Sequence, residues 1–158
     1  PEAYFGKNSA KVMSLQEPTR KMSKSDENVN ATIMLLDDKD TIIRKFKRAV
    51  TDSEAEVRYG EDKPGISNLM DIYGCVTGKT NDEITAEFAG KGYGDFKLAV
   101  GEAVADELAP LQKRYEELLK DKAYIENCIK ENDAKAAYFA NKTLRKVHKK
   151  IGLTEMIR

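Results

Sequence analysis

The chain has 158 residues, enough for one domain or for a domain with part of another. Its 27 Lys and Arg balance 27 Asp and Glu, which excludes a global polycation that grips nucleic acid by bulk charge, so any such contact must come from a local patch. One histidine and two well-separated cysteines make no metal-ligand cluster, and no apolar run reaches the roughly 18 residues of a membrane span. A soluble, cytoplasmic protein with no membrane partner is expected, its Cys75 and Cys128 thiols buried within apolar helical patterns.

In chain order, Ser9–Leu15 reads as a short strand with apolar Ala10, Val12, Met13 and Leu15. A lone strand cannot bury a face or pair with itself, so the chain is expected to be a piece of a longer protein. A polar loop follows. Carboxylates at Asp37–Asp40 then open a helix carrying Ile42, Ile43, Phe46, Ala49 and Val50, with Lys45, Lys47 and Arg48 near its far end and toward solvent. Thr51–Lys63 is polar and reads as a connection. Pro64 suits a first helical turn, Ile66, Leu69, Met70, Tyr73 and Val76 make the next apolar face, and Gly78 ends it.

Thr80 with Glu83 three residues on fits a capping box for a short helix with Ile84 and Phe88, stopped by Gly90, Gly92 and Gly94. The longest helical stretch is expected from about Asp95, with Phe96, Val100, Val104 and Leu108 every four residues. Pro110 should kink or end it, since proline lacks the amide hydrogen of a helix interior. Leu111, Tyr115, Leu118 and Leu119 continue helically toward Asp121, and a last helix follows Asp133. The fold class expected is mainly α: a helical bundle preceded by a short strand and loop.

Chemistry concentrates in Lys21-Met22-Ser23-Lys24-Ser25. Two lysines, two hydroxyls and the amides between them suit a loop that holds a polyphosphate, lysine as a compact charge and serine as a neutral hydrogen-bonding group. No Gly-x-x-x-x-Gly-Lys-Ser/Thr segment is present, which excludes a phosphate-loop NTPase. His148 has no triad-like partner and reads as a helix-face residue. Lys142, Arg145, Lys146, Lys149 and Lys150 form the one dense basic run; the helix dipole alone favours cations there, and contact with nucleic-acid phosphates is the alternative.

The five-residue loop matches the signature loop of class I aminoacyl-tRNA synthetases, and the flanking text resembles the tryptophanyl-tRNA synthetases among them. The likeness runs through Met13-Ser14-Leu15, Pro18-Thr19, Leu35–Asp38, Ala49–Ser53, Lys63–Leu69, Gly90–Gly94 and Phe96-Lys97, and covers the chain to about Leu153. It implies that residues 1–36 end a dinucleotide-fold catalytic domain and that 37–158 are a helical, anticodon-binding region. By the same resemblance, Lys24 and Lys21 are catalytic, following the leaving phosphates of ATP, while Ser23 and Ser25 bond phosphate oxygens and Met22 and Val12 lie near adenine.

The activity implied is ligation of L-tryptophan to tRNA(Trp) through an adenylate, with ATP and its Mg2+ as substrate, in a cytoplasmic homodimer. The family's His/Gly nucleotide turn and its indole pocket are missing here, so the chain by itself is expected to be inactive. A stand-alone helical tRNA-binding module without catalysis, or a helical interaction protein, are the competing expectations.

Overall fold

The computed structural model describes Glu2 and residues 11–153. Among the described residues five helices carry the fold: α1 (Lys39–Lys47), α2 (Pro64–Thr77), α3 (Asn81–Glu87), α4 (Tyr93–Lys120) and α5 (Lys122–Ile151). Contacts divide the chain into two compact units, residues 1–112 and 113–158, so the last turns of α4 belong with α5. Among the described residues no helix is long and apolar enough to cross a membrane.

Local chemistry sets the helix ends. Asp38 caps α1, its carboxylate accepting the Thr41 amide. Pro64 occupies the first turn of α2, where its missing N–H leaves nothing unpaired, and Gly78 closes the helix at φ +75°. The Thr80–Glu83 capping box forms in both directions at α3.

Several expectations change. Pro110 lies inside α4 without ending it, and α4 begins at Tyr93. The last helix begins eleven residues before Asp133, because Asp121 caps it by accepting the Tyr124 amide, and at 30 residues it is α5, not α4, that is longest. Of the Ser9–Leu15 strand, Ser9 and Ala10 fall outside the described residues, and the remainder forms an isolated antiparallel bridge, Met13 to Lys21. No strand forms among the described residues. The other edge of Met13 is met by a side chain in place of a second strand: Asn68 accepts its amide at 2.9 Å and donates to its carbonyl at 3.0 Å.

The core of the first unit gathers Leu15, Ile42, Phe46, Val57, the α2 face from Ile66 to Tyr73, Ile84, and Phe96 and Val100 of α4. Tyr73, Phe88 and Phe96 meet edge to face, with centroids 4.9–6.0 Å apart. α1 stops at Lys47, yet Ala49 still reaches this core while Val50 is exposed. Lys45, expected toward solvent, is buried: its ammonium donates to Asp37 at 2.5 Å and to the Thr32 carbonyl at 2.9 Å. A buried ammonium persists only when so paired. The cysteines also depart from expectation, Cys75 being exposed and Cys128 half-buried.

Candidate functional site: a pinned loop with exposed lysines

The loop is built on a short, firmly held base. Buried Ser14 accepts the Gln16 and Glu17 amides through its hydroxyl, turning the chain toward Pro18. The Arg20 amide closes the next turn on the Glu17 carbonyl, at 2.8 Å. Returning, the chain pairs Ser14 N with Arg20 O and Met22 N with Val12 O, at 2.8 and 3.0 Å. Leu15 then ties both ends: its amide donates to the Ala31 carbonyl, and its carbonyl accepts the Val50 amide.

Within the loop, the Asp26 amide donates to the Ser23 carbonyl and the Ser25 amide to the Ser23 hydroxyl. Thr32 adds an outside tie, its hydroxyl donating to the Ser23 carbonyl at 2.7 Å. Because the Thr32 carbonyl in turn accepts from Lys45, this chain of bonds links the middle of the loop to α1. Asp26 and Asn28 each accept the amide two residues ahead, shaping the exit.

Of the sequence-predicted residues, Lys21, Ser23, Lys24 and Ser25 are exposed. Among the described residues no carboxylate pairs with Lys21 or Lys24, so both charges are available to an anion. Ser23 and Ser25 line a cavity of about 320 Å3 with Arg20, Asp26 and Glu27, which neither lysine borders. Met22 is half-buried against the core, and Val12, 37% exposed, meets it through the backbone bond. His148 is half-buried on α5.

A second polar cluster is not visible in the sequence. Lys63 is buried, and its ammonium donates to Asp52 at 2.9 Å and Tyr93 at 3.0 Å and pairs with Glu54 at 2.7 Å. The Tyr93 hydroxyl donates to the same Asp52 oxygen at 2.6 Å. Burial pushes the Asp52 carboxyl up, but bonds from Tyr93, the Glu54 amide and Lys63 outweigh it and hold the group at about 2. Its second oxygen, Oδ2, is buried and unpaired. Beside this cluster the Val50 carbonyl lies where a Cβ on Gly65 would stand, 2.3 Å away, so only glycine admits the approach of α2 to that segment. Lys97 completes the packing by donating to the Ala49 carbonyl at 2.8 Å.

Segments far apart in the sequence therefore meet around one base: Met13–Leu15, Ala49–Ser53, Lys63–Leu69, Tyr93 and Lys97. These fall in five of the blocks that carry the resemblance. A family model described as tRNA synthetases class I (W and Y) matches residues 5–109. The chain belongs to that family. It is 50% identical over 152 residues to the tryptophan–tRNA ligase of Clostridium tetani, covering 96% of this chain and 45% of that protein. The ligase of Listeria monocytogenes is 48% identical, with 97% and 46% covered. The chain thus spans just under half the length of these relatives.

Solved structures agree. The tryptophanyl-tRNA synthetase of Mycoplasma pneumoniae superposes with a TM-score of 0.73 at 30% identity, covering 94% of this chain and 45% of that one. That of Campylobacter jejuni gives 0.69 at 26% identity, with 92% and 44% covered.

Proposed function

We propose that this chain is the phosphate-gripping and tRNA-recognising part of a tryptophan–tRNA ligase. Residues 1–36 close the catalytic domain and 37–158 serve the tRNA. The observation that carries the proposal is the pair of exposed lysines, Lys21 and Lys24, without carboxylate partners among the described residues, on a loop pinned at Leu15, Met13 and Ser23.

In the reaction, the carboxylate of L-tryptophan attacks the α-phosphorus of ATP, and the bond to the bridging oxygen of pyrophosphate breaks. Tryptophanyl-adenylate and pyrophosphate result, and the acyl group then passes to a terminal ribose hydroxyl of tRNA(Trp). Phosphoryl-type chemistry asks a protein chiefly to position the groups and neutralise charge on the leaving oxygens. Lys24 follows the β- and γ-phosphates, Lys21 assists, and Ser23 and Ser25 hydrogen-bond phosphate oxygens. Met22 and Val12 border the adenine. Mg2+ enters with the nucleotide and shares that neutralisation.

A unit charge ~4 Å from a phosphate is worth about 1 kcal/mol in water and roughly 4 kcal/mol at an effective dielectric of 20. Excluding water from the loop therefore matters more than the lysines alone. The working enzyme is a cytoplasmic homodimer whose indole pocket lies outside this chain, and segments between Thr51 and Gly94 meet the anticodon.

The test is Lys24→Ala in the complete enzyme. Adenylate formation should slow by about 10²–10³, the scale for losing one preorganised transition-state donor, with the tryptophan dissociation constant unchanged. Equal losses in amino-acid binding and turnover would make the loop structural instead.

A further inference from the structure

From Ala134 to Leu153 the chain carries six Lys and Arg and no Asp or Glu, although the whole chain is neutral. These twenty residues hold Lys135, Lys142, Arg145, Lys146, Lys149 and Lys150, all exposed. All but Lys135 and Lys142 crowd the last two turns of α5, where the helix dipole alone favours cations. That effect fades within about one turn, so it does not account for the two upstream lysines.

The spacing is more telling than the number. At about 100° per residue, the six cations fall within an arc of roughly 140° on the helix, and so do Tyr138 and Phe139. These two rings are 62% and 65% exposed and touch edge to face, centroids 5.4 Å apart. The opposite arc carries Ala140, Leu144, Val147 and Ile151. Among the described residues, no carboxylate pairs with Lys135, Lys142, Lys146, Lys149 or Lys150.

We propose that this basic, aromatic face of α5 binds single-stranded RNA, its cations tracking the phosphates and Tyr138 and Phe139 stacking on unpaired bases. Cations with interleaved exposed rings are what a single strand offers partners for, a charged backbone and flat π-faces. A membrane surface is the weaker fit, because a helix lying in lipid places its large rings on the apolar side, and here they stand among the lysines. The proposal builds on the tRNA partner put forward above and adds a sequence-independent interaction in the second compact unit.

The test uses the 158-residue chain, without ATP, and a fluorescent mixed-sequence RNA 15-mer titrated from 50 to 300 mM salt. The triple substitution K142Q/K146Q/K149Q should flatten the log–log salt dependence by about two, at roughly 0.7 for each phosphate no longer neutralised. Tyr138→Ala with Phe139→Ala should weaken binding at least about fivefold at an unchanged salt slope. Circular dichroism confirms that α5 persists in each variant. Binding that ignores both sets of changes overturns the proposal. So does binding to anionic phosphatidylserine vesicles with none to RNA, which would make the face a lipid-surface helix. ATP–pyrophosphate exchange by the complete enzyme should be untouched by these variants. A failure here therefore leaves the loop chemistry standing, and a failure of Lys24→Ala leaves this face standing.

Discussion

A lysine with 1% of its side chain exposed must have its charge matched within the fold, and Lys63 finds Asp52, Glu54 and Tyr93. The consequence is a specific acid sensitivity. Asp52 sits at about 2 in the folded chain against an ordinary 3.8. A depressed carboxyl contributes stability that is fully present above its unfolded value and disappears as pH falls through its folded value. Urea midpoints of the chain and of Asp52→Asn should therefore differ by a constant amount above pH 4, and the gap should narrow between pH 4 and 2. A gap that stays constant through that window would remove Asp52 from the account. Neither Lys63 nor Lys45 is legible in the sequence as a buried residue, because helical periodicity treats every lysine as a solvent-facing position. Only the fold reveals Asp37 beside Lys45 and Asp52 beside Lys63. The loop lysines are legible for the opposite reason: their order along the chain is itself the signal.

Among the elements, ends are more legible than extents. Pro64, Gly78 and the Thr80–Glu83 box act through their own backbone neighbours, so a local rule suffices. The passage of α4 through Pro110 depends on how a whole helix is held, which no single residue encodes, whereas the early start of α5 rests on a local cap, Asp121. Gly65 separates local propensity from packing. Propensity alone favours alanine in a helix, by about 1 kcal/mol over glycine. A Cβ at Gly65 would stand 2.3 Å from the Val50 carbonyl and 3.2 Å from Thr51 Cα, both backbone atoms that cannot swing aside. Gly65→Ala should therefore destabilise by about 1–3 kcal/mol, as overpacking does. Gly94→Ala, in α4 with nothing within 4 Å of its Cβ, should be neutral or mildly stabilising. Denaturant midpoints of the two variants check this, and equal effects would show that the α2 approach is looser than described. The Asn68 clamp on Met13 is hidden in the sequence for a related reason: a buried asparagine on an apolar helix face gives no hint of the backbone it serves, 55 positions away.

For the molecule as a whole, charge balance hides segregation. The neutral total is reached with a basic end in α5 and a net acidic remainder, so composition alone conceals the local charge. Coverage sets the other molecular fact: the chain spans about 45% of the length of the relatives it matches. The central claim is that this loop completes a catalytic centre shared with the remainder of the ligase. Tryptophan-dependent ATP–pyrophosphate exchange measures it most directly, with the purified chain assayed alone, mixed with the part of a related tryptophan–tRNA ligase that it does not cover, and mixed again as Lys24→Ala. The account predicts no exchange by either part alone, exchange on mixing, and about a 10²–10³-fold loss with the variant. Robust exchange by the 158-residue chain alone, or exchange on mixing that Lys24→Ala leaves intact, would contradict it.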